Sequence, residues 1–344
     1  MNERAGITIA ALTGGRKAPA ARFRVRQYIP RLAEYGIYVR EYIPFFHEGC
    51  GLPSPFKAMS QIPGVIGSRK ADITWIGREL VQGYETFERL LKRPRVMDVD
   101  DAIWLDWPFG KSAIPRIAKA MDAIIAGNSY LAEWFGKYCK NVNILPTAID
   151  IKRYTKRHDS TVSEKKKFTI GWTGLAWNYK FLKLIEGPLK DFLRDHPDAE
   201  LRIMAERPWK ATEIPVDRVR FVRWSEEIEV AVLKEMSVGV MPLPDNEWTR
   251  GKCSFKMLQY MAAGVPVVVS PVGMNKEVLA KGDVGFAATR GDEWYEAIDA
   301  FYKDQNLQIR MGNTARKVVE EHFSAVSVAD KLAEIFKGLV NRGK

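Results

Sequence analysis

A polar loop, a short helix and an apolar strand follow one another between Gly251 and Val269, and their residues suit a phosphate ligand. Ser254 is placed to begin the helix, because its hydroxyl can accept a hydrogen bond from a first-turn amide. Lys252 and Lys256 flank that start. First-turn amides, the positive end of the helix dipole and two ammonium groups together favour an anion. The segment therefore predicts a phosphate site at the start of this helix.

Three carboxylates lie within four positions at the end of a predicted strand, as Asp98, Asp100 and Asp101. They repel one another unless cations, hydrogen bonds or a substrate compensate. Carboxylates at this place suit general-base catalysis or the binding of sugar hydroxyls. The alternative is that Asp100 or Asp101 caps a following helix, but capping needs only one carboxylate. We therefore favour the functional interpretation.

Glycines and arginines follow the first predicted strand. Gly14 and Gly15 allow the backbone to approach a ligand closely. Arg22, Arg24 and Arg26 occupy alternate positions and cannot share one helical face. At least one of them is expected to face a ligand, and solvated arginines are the alternative.

A second glycine turn opens the second half of the chain. Gly174 allows close approach to a phosphate and Lys180 can neutralise one, although the pattern G-x-G-x-x-G is absent. Trp172 and Trp177 are expected in a core or an interface. Gln259 can bridge two ribose hydroxyls through its amide, or it can simply face solvent.

Apolar periodicity predicts the elements that position these residues. Predicted strands are Ile7–Leu12, Ile37–Ile43, Asp72–Ile76, Arg95–Val99, Asp122–Ala126, Val142–Leu145, Phe168–Trp172, Glu200–Met204, Val219–Val222, Val238–Met241, Val265–Val269 and Val284–Phe286. Helical patterns cover 20–35, 79–91, 113–120, 128–139, 291–303, 306–321 and 325–340. This alternation predicts an α/β protein with parallel sheets.

The charged stretch 155–167 interrupts the alternation and is the best candidate linker. A chain of 344 residues can bury two cores, so we expect two α/β domains with sheets facing across a cleft. Ligands of open parallel sheets bind outside the carboxyl ends of the strands. The glycine turns, the carboxylates and the lysines above all follow such ends.

Composition limits the class of protein. The net charge of +11 is spread over both halves, since residues 1–150 hold 21 Lys and Arg against 15 Asp and Glu. Such a balance favours anionic partners in general, including nucleotides, acidic membranes and nucleic acid. Apolar runs are too short for a signal peptide or a membrane span. Three scattered cysteines fit a reducing compartment, so a cytoplasmic protein is expected.

A metal site is not predicted. His47 and Cys50 have a spacing that metal ligands use, but the sequence offers no second pair.

Several of these segments resemble those of one enzyme family. Lys256–Val268 resembles a donor-site helix with the second half of an E-x7-E motif, and Gly171–Gly174 resembles the first donor-domain loop. Lys180 falls where that family has a lysine on the donor diphosphate, and Asp98–Ala102 and Arg22–Arg24 recur in members that build cell-surface polysaccharides. Over essentially its whole length the chain resembles the retaining glycosyltransferases of the GT-B fold, family 4.

The chain departs from the family pattern at four places. Gly251 and Gln259 stand where the motif has glutamates, Leu175 stands where an arginine is usual, and no histidine is near Asp98. These departures leave room for a protein that binds a nucleotide sugar without turning it over.

The resemblance implies a GT-B architecture of two Rossmann-like, doubly wound domains across a cleft. Its domains would be an acceptor-side domain 1–155, a linker 156–167, a donor domain 168–324 and a helix 325–344 that returns to the first domain. The implied activity is transfer of a sugar from a nucleotide donor to a hydroxyl, with retention.

The resemblance also implies roles for residues. Implied donor-binding residues are Gly174, Lys180, Lys252, Ser254, Phe255, Lys256 and Gln259, the last on the ribose. Implied catalytic residues are Asp98, Asp100, Asp101 and Lys256. Implied acceptor-binding residues are Gly14, Gly15, Arg22 and Arg24. No metal and no cofactor is required, because lysines and the helix dipole would neutralise the diphosphate.

The expected partners are a nucleotide-diphosphate sugar and a glycan or lipid-linked glycan acceptor. A basic face is expected to contact anionic membrane at the periphery. A nucleotide-sugar epimerase is an alternative that would form product without an acceptor. A nucleic-acid-binding protein is another, and its affinity would fall steeply with salt. No basic motif with interleaved aromatic residues supports nucleic-acid binding, so we expect none.

Overall fold

The computed structural model describes residues 6–16, 18–46, 52–154 and 167–342. They form two compact units. Unit 1 comprises the described parts of Met1–Ala148, Arg250–Cys253 and Ala325–Lys344, and unit 2 comprises those of Ile149–Thr249 and Ser254–Ser324. The predicted linker 156–167 lies, except for Lys167, outside the described residues.

Unit 1 contains a parallel six-stranded sheet in the order β2-β1-β3-β4-β5-β6. Its strands are β1 Ile7–Leu12, β2 Ile37–Tyr42, β3 Ile73–Gly77, β4 Arg95–Val99, β5 Ala123–Ala126 and β6 Val142–Ile144. The central strands β3 and β4 are buried over four of their five residues, because helices cover a parallel sheet on both faces.

The α-helices of unit 1 lie between these strands and at the end of the chain. They are α1 Ile29–Glu34, α2 Ser54–Met59, α3 Ile62–Ser68, α4 Gly110–Lys119, α5 Ser129–Gly136 and, at the end of the chain, α14 Ala325–Arg342. Helix α14 completes the core of unit 1, where the rings of Phe336 and Trp75 lie 5.2 Å apart and are both buried.

Unit 2 contains a second parallel six-stranded sheet, in the order β12-β11-β10-β7-β8-β9. Its strands are β7 Phe168–Thr173, β8 Ala199–Ala205, β9 Val219–Arg223, β10 Val238–Met241, β11 Val267–Val269 and β12 Gly285–Ala287. Its α-helices are α6 Tyr179–Leu182, α7 Glu186–Asp195, α8 Glu229–Lys234, α9 Glu247–Arg250, α10 Phe255–Ala262, α11 Met274–Leu279, α12 Gly291–Lys303 and α13 Gln305–His322. The last residue of α9, Arg250, belongs to unit 1. Its core is formed by residues that include Trp172, Phe192 and Trp294.

The predicted strands agree with the observed ones to within two residues at either end. The helix predicted over 79–91 is wrong. Two buried carboxylates hold that segment in turns, since Glu88 accepts hydrogen bonds from the amides of Leu80 (3.0 Å) and Thr86 (2.6 Å), and Glu79 accepts from that of Gly83 (3.1 Å). Side-chain acceptors thus replace the carbonyls of a helix.

The helix predicted over 20–35 is divided into three pieces. A π-helical turn at Ala21–Val25 and a 3₁₀ turn at Arg26–Tyr28 precede α1, which has Pro30 in its first turn. Proline is tolerated there because a first-turn amide has no intrahelical acceptor. Helices α2 and α3 were not predicted, since neither exceeds seven residues.

Candidate functional site

The order of the strands marks one edge of the sheet in unit 2. From β7 the chain continues outward to β8 and β9, and it then returns to β10 on the other side of β7. Ligands of doubly wound sheets bind at the carboxyl ends of the two strands where the order reverses. In unit 2 these ends are followed by Gly174 and Pro242.

Lys256 lies against Gly174 at this edge. A Cβ atom added to Gly174 would be 2.3 Å from Cε of Lys256 and 2.8 Å from its Nζ. Gly174 also has φ +153°, a conformation that favours glycine. Nζ of Lys256 lies 5.2 Å from the centre of the Trp172 ring. The structure therefore brings together two residues that the sequence analysis had assigned to the donor separately.

Tyr260 holds the helix of Lys256 in place. Its hydroxyl oxygen accepts a hydrogen bond of 2.8 Å from the amide of Thr173, the residue before Gly174. Tyr260 is fully buried, and burial raises the pKa of its phenol, so the hydroxyl is neutral at physiological pH. Lys256 precedes it by one helical turn and shares its face. The sequence analysis did not identify Tyr260, although its position four residues after Lys256 places both on one side of the helix.

Ser254 does not cap α10 with its side chain, which corrects the prediction. Its hydroxyl donates a hydrogen bond of 2.7 Å to Oδ1 of Asn275, and the Asn275 amide donates to the carbonyl of Ser270 at 3.0 Å. The backbone of Ser254 is left-handed, with φ +51°. Phe255, half-buried, is the first residue of the helix. The positive end of the helix dipole lies at this first turn, as at any helix start.

Gln259 is buried in a polar network of unit 2. Its amide nitrogen donates to the hydroxyl of Tyr154 at 2.8 Å and to Oε1 of Glu229 at 3.0 Å. Glu229 also accepts from Nε1 of Trp224 at 2.9 Å and from the Tyr154 hydroxyl at 3.1 Å. This environment disagrees with the predicted contact to a ribose, because the amide donors of Gln259 already bind protein groups.

Lys180 lies beside two tryptophan rings beyond Gly174, of which Trp177 is exposed and Trp248 is half-buried. Its Nζ is 4.9 Å from the ring centre of Trp177 and 5.3 Å from that of Trp248. Trp172 is buried in the core, as expected, whereas Trp177 is exposed. The loop is fixed by Glu206, whose carboxylate accepts from the amide of Ala176 at 2.9 Å.

Arg24 and Asp98 form a buried ion pair in unit 1. Nε of Arg24 donates to Asp98 at 2.7 Å, and Nη1 donates to the carbonyl of Leu145 at 2.8 Å. Burial raises the pKa of Asp98 to about 6, although the charge of Arg24 acts in the opposite direction. Both side chains are 3% exposed. This corrects two predictions, since neither Arg24 nor Asp98 is open to an acceptor.

Asp100 and Asp101 follow β4 and are more exposed than Asp98. Nζ of Lys252 lies 3.4 Å from Oδ1 of Asp101, and both residues belong to unit 1. Desolvation and the negative charge of Asp100 raise the pKa of Asp101 to about 6, while Lys252 lowers it. Neither aspartate caps an α-helix, because a 3₁₀ turn, Ile103–Leu105, follows.

The loop before α10 packs tightly against the end of β4 in unit 1. A Cβ atom on Gly251 would lie 2.8 Å from Cβ of Ala102 and 2.9 Å from its backbone nitrogen. Sγ of Cys253 lies 3.2 Å from the carbonyl oxygen of Asp100. A glutamate therefore does not fit at position 251 unless Gly251 or Ala102 shifts.

The glycine loop after β1 is held by an ion pair that sequence reasoning missed. Arg26 donates to Glu41 at 2.8 Å and to the carbonyl of Gly15 at 2.8 Å. Gly14 is exposed beside it. Arg22 lies half-buried with its guanidinium 4.7 Å from the Phe23 ring centre. The alternate spacing of the arginines predicted that they would have different surroundings. Nothing in the sequence identified Glu41 as the partner of Arg26.

The described residues contain no group of three or more His, Cys, Asp or Glu side chains that could hold a metal ion. His47 and Cys50 lie outside the described residues. In the part of the chain that is described, no helix has the length and apolar character that crossing a membrane requires.

Residues 167–304 match the family model "Glycosyl transferases group 1". A curated relative, N-acetyl-alpha-D-glucosaminyl L-malate synthase of Bacillus anthracis, is 27% identical over 223 residues, which are 60% of this chain. The alignment spans 56% of the relative's length.

Solved structures of glycosyltransferases share the fold of the chain. Sucrose-phosphate synthase of Thermosynechococcus elongatus superimposes with a TM-score of 0.73 at 14% identity, over 98% of this chain and 100% of that one. Anabaena HepE in complex with UDP and glucose gives a TM-score of 0.70 at 14% identity, over 97% and 100%. The two parallel six-stranded sheets and these neighbours establish the two-domain, Rossmann-like GT-B fold.

Proposed function

We propose that the protein transfers a sugar from a nucleoside diphosphate sugar to a hydroxyl group, because residues 167–304 match the family model of glycosyl transferases of group 1 and the chain has the GT-B fold. The observation that carries the proposal is the position of the Lys256 ammonium over Gly174, where the strand order of unit 2 reverses. At this place an anionic ligand can contact the ammonium of Lys256, the backbone of Gly174 and the positive end of α10.

The donor diphosphate is proposed to bind along Gly174, Lys256 and the first turn of α10, at Ser254 and Phe255. Lys180 lies beyond Gly174 along the same connection and adds a second cation. A uridine nucleotide is supported by the complexes of Anabaena HepE with UDP and with UDP-glucose. The ribose then needs partners other than Gln259, because the donors of that side chain are engaged.

Transfer is proposed to retain the anomeric configuration, as in glycosyltransferase family 4. The acceptor oxygen bonds to the anomeric carbon on the face that the diphosphate leaves, and the bond from that carbon to the diphosphate oxygen breaks. The acceptor proton passes to the leaving phosphate. Such a step needs no protein nucleophile, and Lys256 stabilises the charge that grows on the diphosphate. No metal is required if the lysines supply that charge.

The acceptor is proposed to bind in unit 1, at the loops after β1 and β4. Gly14 and Gly15 lie in the first loop, Arg22 lies in the π-helical turn that follows it, and Asp100 and Asp101 follow β4. Asp101 is suited to hold a sugar hydroxyl, because its carboxylate accepts hydrogen bonds and Lys252 orients it at 3.4 Å.

The product is proposed to be a cell-surface polysaccharide or glycolipid, with a hexosyl or deoxyhexosyl group transferred in the cytoplasm or at the inner face of the membrane. Two observations support this proposal. Residues 167–304 match the family model, and the net charge of +11 favours anionic partners.

A calorimetric panel of UDP, GDP, TDP and their sugars tests the proposal. We expect one nucleoside diphosphate to bind at least tenfold more tightly than the others, and its sugar to turn over with an acceptor. Binding of none of them would contradict a donor site. Turnover of a nucleotide sugar without any acceptor would favour the epimerase.

A further inference from the structure

Eight exposed apolar side chains of unit 1 lie along the chain between the end of β2 and the end of α3. They are Ile43, Phe45, Phe46, Leu52, Phe56, Met59, Ile62 and Ile66, each at least 36% exposed. We call this set the apolar face. Residues 43–66 contain two charged residues, Glu48 and Lys57, in a chain of which 28% is charged. Many exposed apolar side chains with few charges are typical of an interaction surface.

Helix α3 presents its apolar side outward because glycines hold its other side on the sheet. A Cβ atom on Gly64 would lie 2.8 Å from Cδ2 of Leu12, and one on Gly67 would lie 2.2 Å from Cζ of Tyr42. Ile62 and Ile66, four residues apart, share a helical face and are exposed.

Polar side chains in this stretch bond back to the protein. The hydroxyl of Ser60 donates to the carbonyl of Lys57 at 2.7 Å, and the amide of Gln61 donates to the carbonyl of Leu80 at 2.8 Å. On α2, Phe56 and Met59 are three residues apart and exposed. The apolar face therefore presents hydrocarbon and few hydrogen-bonding groups to a partner.

The charges beside the apolar face are positive. Lys57 lies within it, and Arg69 and Lys70 are exposed directly after α3. No Asp or Glu occurs among residues 52–71. Apolar side chains flanked by cations complement an anionic bilayer, whose phosphates lie just outside its acyl chains. A protein partner would instead be expected to match hydrogen-bonding groups.

We propose that the apolar face docks on an anionic bilayer, with its apolar side chains at the acyl boundary and Lys57, Arg69 and Lys70 at the lipid phosphates. Ile43 directly follows β2, so this face begins at the carboxyl-end edge of the sheet that also carries Gly14. A lipid-linked acceptor can then remain in the membrane while its hydroxyl reaches that edge. This last point rests on the proposed function.

Flotation with vesicles tests the docking surface. We expect the protein to float with vesicles of phosphatidylglycerol and phosphatidylcholine, and to do so less at high salt and with phosphatidylcholine alone. The variant Met59→Ser/Ile66→Ser removes side chains that are 60% and 58% exposed, and the control Leu90→Ser/Leu184→Ser removes side chains that are 58% and 56% exposed. We expect the first to lower binding at least tenfold and the control to leave it within twofold.

Equal binding by both variants, or no binding by the unaltered protein, would overturn the docking surface. So would a dimer that dissociates only in Met59→Ser/Ile66→Ser, because the face would then join two copies of the chain. Calorimetry with UDP on the same proteins separates the two proposals. Vesicle binding without UDP binding would leave the docking surface standing and remove the donor site.

Discussion

Gly174 is restricted to glycine both by its backbone conformation and by its neighbour. Its φ of +153° is strained for any other residue, and a Cβ atom would displace Lys256. We therefore expect Gly174→Ala to weaken UDP binding at least fivefold by calorimetry. Gly187→Ala is a control, since its Cβ would meet no atom within 4 Å. Equal loss in both variants would contradict the role of Gly174.

Asp101 gives the proposed reaction a pH dependence. Its pKa is raised to about 6, so the carboxylate is lost as the pH falls through 6 instead of near 4. If the ionised form holds the acceptor, kcat/KM should fall about tenfold per pH unit below 6. Asp101→Asn should lower the plateau and remove this slope. The same acidic slope in the variant would exclude Asp101 as its origin.

Residue types alone did not predict the contacts that these side chains make. Lys256 and Gly174 were both assigned to a donor from sequence, and the structure adds that they touch. Arg24 and Gln259 were assigned to ligands, but their partners Asp98 and Tyr154 lie 74 and 105 positions away in the sequence. No local pattern reveals such a partner, because only tertiary packing brings it near.

At the scale of elements, Tyr260 links α10 to the end of β7. Tyr260→Phe would leave the buried amide of Thr173 without its hydrogen bond of 2.8 Å. We expect the free energy of unfolding to fall by about 1–3 kcal/mol in urea titrations. The control Tyr302→Phe removes a hydrogen bond of 2.7 Å to Asp198 at an exposed site, where the loss should stay below about 0.5 kcal/mol. Equal losses would mean that Tyr260 does not anchor the helix.

The strands were predictable because short apolar runs bounded by turn residues are typical of buried strands. The segment 79–91 was not, since the buried carboxylates of Glu79 and Glu88 compete with helical hydrogen bonds. Helices α2 and α3 were not predicted because they are short and because their outward sides carry exposed apolar residues, which removes the contrast that reveals an amphipathic helix.

At the scale of the molecule, unit 1 is completed by the last helix of the chain. Phe336 of α14 is fully buried against Trp75 in the core of unit 1. We expect Phe336→Ala to cost about 3–5 kcal/mol of stability. Hydrogen exchange should rise in β1, β3 and β4 and stay unchanged in β7 and β10. Increased exchange confined to unit 2 would contradict this assignment of α14.

The alternation of strands and helices predicted two α/β domains, and the resemblance predicted their GT-B fold, which is confirmed. The sequence could not show that Arg250–Cys253 belongs to unit 1, because that depends on close packing between Gly251 and Ala102. The sequence likewise did not reveal that Lys252 pairs with Asp101, which lies 151 positions away.

The most direct test of the donor site is calorimetric titration of UDP into the unaltered protein and two lysine variants. Lys256→Ala removes the ammonium at Gly174, and Lys317→Ala removes an exposed ammonium on α13 of the same unit. A charge-assisted hydrogen bond contributes about 1.5–3 kcal/mol, so Lys256→Ala should weaken binding at least tenfold and Lys317→Ala should leave it unchanged. Unchanged affinity in a folded Lys256→Ala protein would contradict the proposed donor site.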